Sequence, residues 1–227
     1  LNDLTKFIIK KIETEKINKD IKKIKIEDDF QPSNVLVIAG SAGSLDPLSD
    51  VFLELGEPKV PVITAIHIPK NMENHLVKRL NQSAMQNNFK IEFGVFDSLQ
   101  KGKVAIAPGG YNSVLKKTKL TGNKILLRSE DASANEYGFT PSIDKLLESA
   151  AKFNIICDVI LLSGLGEDGS KGCKTHSDKG GNILVQLPDT AIASSMPIAA
   201  LNSCSVKYCD TPKNLAAKIK ESWKNKF

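Results

Sequence analysis

The chain has 227 residues, enough for one sizeable core, and its 41% hydrophobic and 25% charged residues sit near globular averages. That balance excludes wholesale disorder, a collagen-like fibre and a disulfide-packed miniature. The 31 basic and 26 acidic residues leave a net charge of +5, too mixed for a nucleic-acid coat, and 6% aromatics argue against a base-stacking surface, so no nucleic acid is expected as partner.

Residues 1–33 read as a charged N-terminal helix or linker, since Leu4, Ile8, Ile12 and Ile17 recur near helical spacing among lysines and acids. The opening on Leu1 rather than methionine is what a piece of a longer protein would show. Lys10, Lys11, Glu13, Glu15 and Lys16 break any apolar signal segment. No apolar run nears the roughly 18 residues of a membrane span, so no direct membrane insertion is expected and the cytoplasm is the expected compartment. Pro32 then interrupts the chain, and residues 34–227 should form the folded domain.

From there strands and helices alternate. A buried strand at 35–39 leads through a small-residue turn to a helix at 47–55, and a second strand at 60–66 precedes a helix near 72–85. Short segments at 104–107, 113–120 and 124–128, split by Gly109-Gly110 and Gly122-Asn123, read as an antiparallel hairpin insert. Alternation resumes with helix 142–153, strand 157–162, helix 170–179, strand 182–186 and a closing helix at 212–223. Continuous apolar strands between helices indicate an α/β fold: a doubly wound, mostly parallel sheet with helices on both faces and a small antiparallel hairpin. Cys157, Cys173, Cys204 and Cys209 show neither C-x-x-C spacing nor a histidine cluster, so neither a zinc site nor a disulfide framework is signalled.

Ligands of such sheets bind beyond the carboxyl ends of the strands. Three reactive residues fall there: Ser41 in AGSAGS (39–44), His67 in TAIHIP (64–69) and Asp168 in LSGLGEDG (162–169). Hydroxyl, imidazole and carboxylate together are the set for a base-activated serine. Each also has a plainer reading. Ser41 suits a helix cap or a phosphate-holding turn, His67 a structural hydrogen bond and Asp168 a turn, and Ala39 stands where a strict G-x-S-x-G elbow has its first glycine. A nucleotide-binding module built on the 40–44 turn is the rival from another class, but G-x-G-x-x-G and Gly-Lys-Ser/Thr are absent.

From about Asn34 onward the sequence resembles the catalytic domain of the chemotaxis receptor methylesterases, the CheB-type protein-glutamate methylesterases. The resemblance rests on GSAG (40–43), TAIHIP (64–69), VAIAPG (104–109), PSID (141–144), LSGLGEDGSKG (162–172) and SMP (195–197), in that order. It implies a carboxylic ester hydrolase acting on glutamate methyl esters, and deamidating glutamines, of receptor signalling helices. It also implies Ser41 as nucleophile, His67 as base, Asp168 as orienting acid, the backbone N–H groups of Ala42 and Leu165 as oxyanion hole, and Met196 and Ser142 as substrate contacts. No metal or organic cofactor is implied. The implied partners are methylated chemoreceptor cytoplasmic helices, and a receiver domain or another chemotaxis signalling protein.

The family usually has threonine and then two glycines where Ala42, Gly43 and Ser44 stand, a basic residue at Thr140 and often histidine at Asn112. These departures admit a further reading, a catalytically impaired methylesterase-like adaptor that binds receptor or response regulator. Lys70, Lys78 and Arg79, just beyond the His67 strand, are the candidate steering face for an acidic partner.

Overall fold

The computed structural model of the protein describes residues 33–87, 91–118, 124–132 and 139–226. The expected N-terminal helix or linker lies outside the described residues, apart from Ser33. In chain order the elements are β1 (Val35–Gly40), α1 (Leu45–Leu55), β2 (Val62–Ile66), α2 (Glu73–Gln86), β3 (Glu92–Gly94), β4 (Lys103–Ile106) and the hairpin β5 (Tyr111–Thr118) and β6 (Lys124–Asp131). Then follow α3 (Ile143–Lys152), β7 (Cys157–Leu161), α4 (Ser170–Asp178), β8 (Ile183–Gln186), α5 (Ser195–Ser203), β9 (Tyr208–Asp210) and α6 (Pro212–Lys226).

Seven strands form one parallel sheet in the order β3-β4-β2-β1-β7-β8-β9, and β5 and β6 pair antiparallel beside it. The expected fold class is therefore the one observed, but the segment at 104–107, expected in the antiparallel insert, is β4 of the parallel sheet, and the hairpin is β5 and β6 alone. Every residue of β1 is buried because both faces of the sheet are covered. Leu36 and Ile38 point to a layer holding α1, α2 and α6; Val35, Val37 and Ala39 point to one holding α3, α4 and α5. Alternate residues of one strand thus feed two separate cores. In the first of them Leu215, Ala216, Ile219 and Trp223 of α6 share a cluster with Leu48, Val51, Phe52 and Leu55 of α1.

After β1 the chain passes to β2 on one side, and β7 lies on the other, so the strand order reverses at β1. Register then brings three strand ends level: Gly40 stands opposite Ile66, and Ala39 opposite Leu161. Two backbone bonds tie the segments that follow, Ser41 N–H to Ser163 O (2.9 Å) and His67 N–H to Gly40 O (3.1 Å). This is the crevice where open α/β sheets hold ligands. No helix among the described residues is long and apolar enough to cross a membrane.

Behind the crevice, α4 buries His176 completely. Its Nδ1 accepts from Cys157 N–H (3.2 Å) and its Nε2–H donates to Leu147 O (2.9 Å), a pair that only the neutral ring can satisfy. Burial, and then Lys179, holds this imidazole below the ordinary histidine value. The unfolded chain therefore binds the extra proton first, and the stability from His176 is present above about pH 6.5 and lost as pH falls from there through the lowered folded value. Melting temperatures from pH 5 to 8, compared with His176→Gln, should show the wild type losing ground to the variant on the acid side. A pH-independent difference would sink this reading.

Candidate active site

The turn after β1 is built by small side chains. Ser44, fully buried, donates its hydroxyl to Ser41 O (2.6 Å), and its N–H reaches the same carbonyl (3.1 Å). Ser163, after β7, donates from Oγ to Ala42 O (2.8 Å). A Cβ on Gly40 would come within 2.7 Å of Ser44 Cβ and 3.1 Å of Ser163 O, so only glycine lets the two strand ends approach this closely. Ser41 is left half-buried at the head of α1. Its hydroxyl and the backbone N–H of Ala42 have no hydrogen-bond partner among the described residues.

The loop after β7 faces this turn. Gly164 N–H donates to Ala193 O (2.8 Å), and Gly164 O accepts from Met196 N–H (3.0 Å) and Ser195 Oγ (3.2 Å), while Ser195 Oγ accepts from Gly166 N–H (3.1 Å). The start of α5 thus pins Leu165 from both sides and leaves its N–H without an acceptor among the described residues. A side chain on Gly164 would overlap Met196 Sδ and stand 3.0 Å from Ser41 Cβ.

His67 directly follows β2, with 6% of its side chain exposed, and its Nε2 lies 2.8 Å from Asp168 Oδ2. An ionised carboxylate only accepts, so the neutral ring carries its proton on Nε2 and keeps a lone pair on Nδ1. That Nδ1 is buried and has no hydrogen-bond partner among the described residues. The Phe139 ring stacks on the imidazole, with centroids 5.0 Å apart and planes 10° from parallel.

Asp168 accepts four hydrogen bonds. Oδ2 takes His67 Nε2–H and Ile143 N–H (2.8 Å); Oδ1 takes Asp144 N–H (2.9 Å) and Ser142 Oγ–H (3.2 Å). Ile143 and Asp144 open α3, and Ser142 caps it, so the carboxylate rests on a helix N-terminus, where the unpaired N–H groups favour an anion.

Sequence reasoning brought Ser41, His67 and Asp168 to neighbouring strand ends, and they are found there. His67 and Asp168 are joined by a direct hydrogen bond, whereas Ser41 and His67 form none. The two expected substrate contacts, Ser142 and Met196, lie in the interior beside the site. Ser142 is fully buried, with its hydroxyl held between Asp168 and Lys145 N–H (3.2 Å), and Met196 is fully buried against Gly164. Neither has surface to offer. Asn112 accepts from Ser142 N–H (2.9 Å) and so steadies the cap. Of the candidate steering cations, Arg79 is paired with Asp46 (2.6 Å), while Lys70 lies over the Tyr111 ring, 4.7 Å from its centroid.

The apolar rim of the site has no cue in the sequence. Phe139, Leu165 and Ile192 are 50%, 57% and 82% exposed, and Ile192 packs beside Gly43. Lone apolar residues in loops have no period to betray them.

A model of the CheB methylesterase family matches residues 36–219. A protein-glutamate methylesterase/protein-glutamine glutaminase of Saccharophagus degradans is 32% identical over 169 residues, covering 73% of this chain and 44% of that protein. Another, from Geobacillus kaustophilus, is 28% identical over 193 residues, covering 83% and 54%. The chain therefore spans about half the length of the curated relatives it matches. The crystal structure of the Thermotoga maritima CheB methylesterase catalytic domain superposes with a TM-score of 0.71 over 85% of this chain and 99% of that one; at 22% identity the likeness speaks for the fold. With the family match running from β1 into α6, the chain belongs to the CheB methylesterase family.

Proposed function

We propose that residues 34–227 form a catalytic unit that hydrolyses glutamate methyl esters on chemoreceptor signalling helices, and deamidates glutamines there, by a serine nucleophile. The observation that carries this reading is the His67–Asp168 bond, which fixes the proton on Nε2 and leaves a buried Nδ1, without a partner among the described residues, at the strand end level with Ser41.

His67 Nδ1 takes the Ser41 proton as Ser41 Oγ attacks the ester carbonyl, and the oxyanion meets the backbone N–H groups of Ala42 and Leu165. Asp168 stabilises the imidazolium. The C–O bond to methoxide then breaks, His67 returns its proton to release methanol, and an acyl-Ser41 ester remains. Water, deprotonated by His67, attacks that ester, and Ser41 leaves with the proton. A glutamine substrate follows the same path with ammonia as leaving group. The exposed rim of Phe139, Leu165 and Ile192 suits the apolar flank of a helical substrate, and the family's setting puts such helices in the cytoplasm. A receiver domain or another chemotaxis signalling protein is the proposed regulatory partner.

The deciding experiment incubates methylated receptor fragments with the chain and follows loss of the ester methyl by mass spectrometry. Demethylation by the wild type and none by Ser41→Ala supports the reading; unchanged fragments with both would sink it. Phe139→Ala should remove a stacking contact of about 0.5–1.5 kcal/mol from the imidazole. Turnover is expected to fall by about 2- to 10-fold with the fold intact, and unaltered turnover would show the ring to be idle.

A further inference from the structure

Asp144, in the first turn of α3, makes two contacts that close a ring. Its backbone N–H donates to Asp168 Oδ1 (2.9 Å), and its carboxylate Oδ1 accepts from Gly172 N–H (2.8 Å), the third residue of α4. Asp168 stands four residues before Gly172. The path from Asp168 along the chain to Gly172, across to the Asp144 side chain and through the Asp144 backbone returns to the Asp168 carboxylate. Each helix therefore receives at its N-terminus a carboxylate that belongs to the other helix or its lead-in.

The two helices leave little slack for this exchange. A Cβ on Gly172 would stand 2.5 Å from Leu147 Cβ, and one on Gly169, which has φ +93°, would stand 2.9 Å from Ile143 Cγ2. Asp144 itself is only 7% exposed. Burial pushes its carboxyl up to about 6, the Gly172 N–H opposes that rise, Asp168 and then Glu148 add to it, and Lys171 opposes it. Holding an acid in such a place is costly for a group whose only task is to cap a helix, because an exposed cap would do that task with its charge in water.

Resting on the proposed ester hydrolysis, we propose that Asp144 is a positioning residue for the reaction: by gripping Gly172 N–H it fixes where Asp168 stands, and through Asp168 it sets the hydrogen bond to His67. A small displacement of Asp168 would misalign the imidazole, and catalysis is steep in such errors.

The test compares Asp144→Ala, which lacks the acceptor, with Asp144→Asn, whose Oδ1 can still receive the Gly172 N–H. In Asp144→Ala kcat should fall about 10-fold or more, with KM changed far less, and Asp144→Asn should recover to within about 3-fold of wild type. The proton on His67 Nε2 is read in parallel by NMR, on the unliganded protein; its resonance should shift or broaden in Asp144→Ala and hold in Asp144→Asn. A merely structural cap would lower the melting temperature of Asp144→Ala and leave kcat and the His67 resonance as they were, which overturns the proposal. So does Asp144→Asn, folded, losing as much as Asp144→Ala. Where Asp144→Ala melts below the assay temperature, Asp144→Glu replaces it: the displaced acceptor should lower kcat and move the resonance, and wild-type values of both refute the role. Should no ester be turned over by the wild type, the functional reading fails while the NMR comparison still judges the positioning.

Discussion

Ser41→Ala should lose on the order of 10³-fold or more of ester turnover while melting at the wild-type temperature. The two halves of this result have different sources. Turnover falls because the neighbouring hydroxyl at the head of α1, that of Ser44, is fully buried and committed to Ser41 O and cannot stand in. Stability holds because Ser41 Oγ has no hydrogen bond to lose among the described residues, and alanine keeps the Cβ of this half-buried side chain. A purified Ser41→Ala protein that keeps most of the wild-type rate on methylated receptor fragments, with the same melting curve, would remove Ser41 as nucleophile and direct attention to another group in the crevice.

Asp168→Asn should cost on the order of 10³- to 10⁴-fold in kcat, the scale seen when a triad histidine is locked in the wrong tautomer. An amide nitrogen turned toward His67 donates to Nε2, moves the ring proton to Nδ1 and takes away the lone pair that Ser41 needs. The structure adds a second effect, since both carboxylate oxygens accept backbone N–H groups, Ile143 on one and Asp144 on the other. Whichever way the new amide turns, its NH2 meets a donor. The unsatisfied group costs about 1–3 kcal/mol, and at about 2–4 °C per kcal/mol the melting temperature should drop by several degrees. Calorimetry and kinetics on one preparation check both. A variant with intact stability would show that the helix N-terminus tolerates an amide, and one with intact kcat would show that Asp168 does not choose the tautomer.

Much of the scaffold was legible from the sequence because it follows from burial. β1, β2, β7 and β8 are runs of apolar residues covered on both faces, and no other element accommodates such runs at that length. β3 and β9 escaped notice because each has three residues, many of them partly exposed, and so no pattern to read. α5 escaped because serine, proline and asparagine dilute its apolar face, although Pro197 in the first turn is compatible with a helix start. Ser41, His67 and Asp168 could be found because strand ends can be found. The support of Asp168 could not, since it depends on α3 docking its N-terminus against the lead-in to α4, a matter of packing between distant segments. Ser142 and Met196 mark the same limit: their motifs adjoin the site, but only the folded chain shows that both are buried.

The pairing of α6 with α1 has a consequence during synthesis. Leu48, Val51, Phe52 and Leu55 precede all but the first strand, yet they share their core with Leu215, Ile219 and Trp223, which are made after every strand of the sheet. At about 5–20 residues per second, the ribosome needs on the order of ten seconds to deliver the second group after the first. Throughout that interval the apolar face of α1 lacks the part of its cover that α6 supplies, and the turn around Ser41 lacks that brace. The nascent chain thus passes through a window in which aggregation and chaperone capture compete with folding, and release of Trp223 closes it.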